Sequence, residues 1–139
     1  MIHLSQSRSS IIFEKDGDSL SILYWGKKIG ALDAGAEKAI NAALTKAAPH
    51  GGLDTPIGNL VLREHSRGWS GHPAVRGHRS GVSASNSFAL SNLDHKDHSL
   101  IARFEDSLAH LTLTLTYSLN EFDVLHIDAE ITNVGAGDY

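Results

Sequence analysis

The sequence predicts an all-β protein, an antiparallel β-sandwich with one short helix. Three observations carry this. Leu111 to Tyr117 alternates strictly between apolar residues and threonine, the period-2 pattern of a strand buried on one face. Val124 to Val134 repeats the alternation after the turn Asn120-Glu121-Phe122-Asp123. Near the N-terminus, two apolar runs flank Asp16-Gly17, a dipeptide suited to tight hairpin turns because both residues tolerate positive φ.

In chain order, Ile11-Ile12-Phe13 and Leu20 to Trp25 are the arms of the first hairpin, with Trp25 expected in the core. From Gly35 to Ala48 alanine dominates, and Ile40, Ala43, Leu44 and Ala47 recur at helical spacing. Asp33 is placed to cap that helix, and Pro49 follows it. Pro49 to Gly52 is an open loop, and Leu60-Val61-Leu62 is apolar enough for a short strand. Ser66 to Gly81 holds four glycines and one proline without periodicity, and loops of that length are commonly functional. Phe88-Ala89-Leu90 and Leu100 to Phe104 read as further strands, with Asp94 to His98 as an exposed turn between them. The last two strands form a hairpin, with Leu111, Leu113, Leu115, Tyr117, Leu125, Ile127, Ala129 and Ile131 inward. The threonines, His126, Asp128 and Glu130 lie on a wetted face.

Composition narrows the function. A chain of 139 residues is one domain or part of one, and can bury about two-thirds of its unfolded surface. Its net charge of −4 and the lack of any basic run longer than Lys27-Lys28 argue against nucleic acid as a partner. Without cysteine there is no disulfide framework and no thiolate metal site. No signal-peptide core or membrane-length apolar run is present, and the expected location is the cytoplasm.

Tyr24-Trp25-Gly26-Lys27, then Leu60-Val61-Leu62-Arg63-Glu64 leading to Gly68 and Pro73-Ala74, then Leu108 to Tyr117 running into Ile131-Thr132-Asn133-Val134-Gly135, stand in a recognisable order. In these segments the chain resembles the N-terminal domain of glycoside hydrolase family 36 α-galactosidases. The resemblance implies that residues 1–139 form an N-terminal β-sandwich domain or a fragment of one, part of a larger supersandwich, without the catalytic (β/α)₈ barrel. Such enzymes release terminal α-galactosyl units from melibiose- and raffinose-type oligosaccharides with retention, using two barrel aspartates as nucleophile and acid/base. The chain is therefore expected to hold no catalytic residue, to be inactive alone, and to need neither cofactor nor metal. The family's N-terminal domain often helps to build a tetramer, so a homo-oligomer is among the implied partners. Its substrate-contacting acidic residue follows the Tyr-Trp-Gly-Lys segment. Here Ala36 to Ala48 has no carboxylate after Glu37, and Asp33 and Asp54 flank the stretch.

Candidate sites follow. Trp69, between glycines, offers a ring on which the C–H face of a pyranose can pack, and with Asp54 is the candidate sugar contact. Arg67, Arg76 and Arg79 are candidate interface groups, because the guanidinium fork suits carboxylates on a neighbouring domain or subunit. Nine histidines, among them His72, His78, His95 and His98, show no ligand spacing such as HExxH and read as solvated loops. Asp128 and Glu130 stand about 7 Å apart by strand rise and read as surface charge. The alternatives are a stand-alone carbohydrate-binding module, a mutarotase-like sandwich using His126 or His110 with Glu130, and a pure oligomerisation domain.

Overall fold

A computed structural model describes residues 1–44 and 58–139. Among the described residues, seven strands form two antiparallel sheets. The first sheet has the order β1 (Ile2–Ser5), β2 (Ser9–Asp16) and β3 (Ser19–Lys27). The second has the order β4 (Ala89–Lys96), β5 (Ser99–Asp106), β6 (Leu111–Leu119) and β7 (Leu125–Asn133). The helix α1 (Ala34–Leu44) follows β3. Every strand connection within a sheet is a simple hairpin, so neighbours in sequence are neighbours in space.

The core lies between the sheets. Leu4, Ile11, Phe13 and Leu20 come from the first. Leu100, Ala102, Phe104, Leu111, Leu113, Leu115, Tyr117 and Leu119 come from the second. The Phe13 and Tyr117 rings meet edge to face at 5.0 Å, a favoured aromatic geometry across the layer. Burial raises the Tyr117 hydroxyl to a pKa of about 12. The predicted hairpins are present. Gly17 takes φ 56° in the β2–β3 turn, and β6 pairs with β7 from Leu111↔Asn133 to Leu119↔Leu125. The alternation in β6 is realised in full, with each leucine and Tyr117 buried and each threonine on the other face. Asp33 caps the helix, its Oδ1 accepting the Ala36 amide at 2.7 Å. The expected continuation to Ala48 lies outside the described residues beyond Leu44.

Several expectations change. Trp25 is 62% exposed rather than in the core. The β2–β3 register shifts between Ile12 and Phe13, so that Ile22 pairs with Phe13 but Tyr24 pairs with Ile12. This bulge places Trp25 opposite Ile11 near the end of an edge strand, where no second layer covers it. Leu60-Val61-Leu62 is not a strand of its own. Leu60 makes a single bridge to Ser21, the Val61 amide donates to Leu20 O, and Leu62 is buried beside β3. Strand β4 runs on through Lys96, which shortens the expected Asp94–His98 turn to Asp97 and His98. Strand β1 has only two apolar residues, too few to stand out in the sequence, yet it pairs with β2 over its whole length. Finally, β7 is wetted on both faces, because three strands do not cover four.

Candidate functional site

The segment between Arg63 and Ala74 folds back on itself. The Ala74 amide donates to Arg63 O at 2.8 Å and the Trp69 amide to Glu64 O at 3.1 Å. Between them His65–Arg67 makes one 3₁₀ turn, closed by Gly68 at φ 83°, a left-handed conformation open to glycine at little cost.

Two groups fix this loop to the sandwich. Glu64 is 2% exposed. One of its oxygens accepts the buried Phe88 amide at 2.8 Å, and the other accepts Arg67 Nε at 3.1 Å. Arg67 also donates to both oxygens of Asp18 and to Phe88 O. The clasp thus ties the loop to the β2–β3 turn and to the entry of β4. Burial raises the Glu64 pKa, opposed by the Phe88 amide and Arg67, while the hydrogen bond and charge of Arg67 lower that of Asp18. The niche under the clasp measures about 10 Å³, room for a single water at most.

Trp69 stands on this support, half-buried. Its indole Nε1 donates to His72 O at 2.9 Å. The Arg63 guanidinium lies over the ring, 4.6 Å from its centroid, in cation–π geometry. A Cβ on Gly71 would come within 2.8 Å of the indole nitrogen, so only glycine lets the backbone pass this close. The His65 Nε2 and Gly71 O lie 3.0 Å apart and brace the turn. Beside it opens a basin of about 430 Å³ lined by His65, Ser70, Gly71, His72, Pro73, Arg76 and Ala84.

The structure separates the three arginines. Arg67 belongs to the clasp. Arg79 binds the carbonyls of Ala109, Ala136 and Gly137 and the Asn133 side chain, and lies 6.0 Å from the Tyr139 ring. Arg76 is exposed on the basin wall. Asp54 lies outside the described residues. Asp128 and Glu130 are exposed on β7 beside His126, and His110 is exposed in the β5–β6 turn. Among the described residues, no three His, Cys, Asp or Glu side chains converge to hold a metal ion, and no helix is long and apolar enough to cross a membrane. The second buried carboxylate, Asp106, accepts the amides of Ser87, Leu108 and Ala109. Like Glu64, it is committed to holding backbone. The arrangement can present a rigid indole and a cation beside a basin. Sequence reasoning missed Glu64 and Arg63, since neither the clasp nor the stacking has a spacing signature.

Residues 18–139 match the glycosyl hydrolase family 36 N-terminal domain. The chain belongs to this family. As a family 36 N-terminal domain it is 27% identical over 136 residues to an alpha-galactosidase of Escherichia coli. That alignment covers 98% of the chain and 18% of the relative, so the chain spans less than a fifth of the relative's length. No solved structure gives a significant match. In this domain, Tyr24-Trp25-Gly26-Lys27 has a local cause. The Tyr24 hydroxyl donates to Lys27 O at 2.7 Å, and its ring lies over Gly26, where a Cβ would stand 2.9 Å from the hydroxyl.

Proposed function

We propose that this chain is the N-terminal, non-catalytic domain of a cytoplasmic α-galactosidase that removes terminal α-D-galactosyl residues from oligosaccharides such as melibiose and raffinose. Hydrolysis with retention belongs to a catalytic barrel elsewhere in the parent polypeptide, and the 139 residues alone are inactive. The observation that carries this reading is the family match over residues 18–139, together with alignment to part of an α-galactosidase. The committed state of Glu64 and Asp106 supports a scaffold, because the oxygens of both already accept backbone or side-chain N–H groups. The Trp69 loop forms part of the rim of the sugar site. Its indole packs on a sugar unit remote from the bond that breaks, with Asp54 contributing from the preceding segment. Arg76 meets an acidic group on the barrel or on a second subunit.

The test is kinetic. The full-length polypeptide hydrolyses an aryl α-galactoside and raffinose. Trp69→Ala raises KM for raffinose several-fold and leaves kcat for the aryl substrate near its original value. A full-length polypeptide that is folded yet inert on every α-galactoside would remove the enzyme reading. Unchanged raffinose kinetics in the Trp69 variant would remove the rim reading alone.

A further inference from the structure

Most arginines of this chain are already engaged. Arg8 pairs with Asp123, Arg67 with Asp18 and Glu64, and Arg103 with Asp94. Arg63 lies on the Trp69 ring, and Arg79 binds carbonyls near the last residue. Arg76 has no partner of any kind among the described residues. It stands on the wall of the 430 Å³ basin, together with His65 and His72. The imidazole of His72 is likewise unpartnered. Among the described residues no carboxylate lines this basin, although the chain has 16 of them against 12 lysines and arginines. Glu64 sits behind the wall, where a niche of about 10 Å³ shares His65, Pro73 and Ala84 with the basin. It is 2% exposed, and its oxygens already accept Arg67 and the Phe88 amide. The basin is thus a concavity of uncompensated positive potential on an acidic chain.

Its remaining walls suit a sugar. Ser70 brings a hydroxyl, and Pro73 and Ala84 bring apolar surface for C–H groups. The His65 Nε2 faces Gly71 O, which only accepts, so this nitrogen carries hydrogen. In the neutral ring Nδ1 is then an acceptor, and a sugar hydroxyl can donate to it. The volume falls in the range of about 300–1,000 Å³ usual for small-molecule sites.

We propose that this basin binds an acidic sugar, a hexose unit carrying a carboxylate or a phosphate ester. Arg76 and His72 hold the anionic group, and Ser70 and His65 hold hydroxyls. The guanidinium fork matches two oxygens of either anion. Arg76 has five N–H donors, enough for these oxygens and for the protein carboxylate assigned to it above. The inference rests on the reading of the Trp69 loop as the rim of a sugar site and deepens it: the preferred unit remote from the bond that breaks is an acidic one.

Calorimetric titration of the 139-residue chain, at low ionic strength where charge pairs are least screened, tests this. The probes are galacturonate, galactose 6-phosphate, galactose and inorganic phosphate. The two acidic sugars bind at least about tenfold more tightly than galactose or inorganic phosphate, as one charge-assisted contact implies. Arg76→Gln brings both acidic sugars down to the affinity of galactose. His72→Gln weakens them several-fold, and decides the matter where the Arg76 variant fails to fold. Equal affinity for galacturonate and galactose, or no binding of any probe, overturns the proposal. So does inorganic phosphate that binds as tightly as galactose 6-phosphate, which would make the basin an oxyanion site without a sugar. A preference that survives both substitutions overturns it too, because the acidic sugar then sits elsewhere. An aryl α-galactoside assay on the full-length polypeptide separates this inference from the reading beneath it. Turnover without a preference for acidic sugars removes the ligand and keeps the enzyme; a preference without turnover keeps the ligand and removes the enzyme.

Discussion

Replacing Glu64 by alanine removes two acceptors at once from a side chain that is almost fully enclosed. The Phe88 amide is left buried without a partner, which costs about 1–3 kcal/mol. Arg67 loses one charge-assisted bond but keeps Asp18 and Phe88 O, so this part adds no more than about 1 kcal/mol. The sum, about 1–4 kcal/mol, is a large share of the roughly 5–15 kcal/mol that stabilises a domain. With an unfolding entropy of about 2.1 cal/mol/K per residue, it lowers the melting temperature of this chain by roughly 3–14 °C. Glu64→Gln isolates the cause. The amide oxygen still accepts the Phe88 N–H, and the burial of a charge is relieved, so this variant stays within about 1 kcal/mol of the parent. Thermal and urea unfolding of the three proteins give the comparison. An alanine variant as stable as the parent would show that the clasp holds nothing. A glutamine variant as damaged as alanine would show that the Arg67 charge pair, and not the Phe88 amide, carries the effect.

Further outcomes follow from the same geometry. The carboxyl of Asp123 is held down to about 2, chiefly by the Ser9 hydroxyl and then by the Arg8 amide. It therefore contributes stability that is complete above its ordinary 3.8 and is lost as pH falls toward 2. Asp123→Asn flattens the acid limb of the stability–pH curve in that window, and an unaltered limb would refute the assignment. His3, whose pKa is lowered by burial and then by Lys28 and His95, favours folding fully above 6.5 and loses that contribution as pH falls below it; an NMR titration of His3 with its midpoint at or above 6.5 would contradict this. Gly71→Ala drives a methyl against the Trp69 indole, breaks its bond to His72 O and red-shifts the tryptophan emission; unchanged fluorescence would mean the ring yields without losing its place. Arg79→Met frees the carbonyls of Ala136 and Gly137, and limited proteolysis then trims the last residues at least several-fold faster; equal trimming would show that Tyr139 alone holds the tail.

How much of this was legible depended on how local the cause was. The β6 pattern, the Asp16-Gly17 turn and the Asp33 cap follow from residues within one element or one turn, and each is present. Trp25 failed because burial depends on what lies across the sheet. A bulge and an uncovered edge decide its exposure, and neither is written in the strand itself. Strand β7 failed for the same reason, its alternation promising a buried face that the three-stranded sheet does not reach. At the candidate site, Trp69 and Arg76 stand out by residue type and loop context. Glu64 looked like the polar end of an apolar run, and its role depends on Phe88, 24 positions away in the chain.

The central claim is that these residues hold and shape a site whose chemistry lies elsewhere in the parent polypeptide. Hydrolysis of an aryl α-galactoside, followed side by side for the purified 139-residue chain and for the full-length protein, tests it most directly. The account predicts turnover by the full-length protein and none by the chain. Turnover by the chain, lost on substitution of one of its own carboxylates, would contradict it.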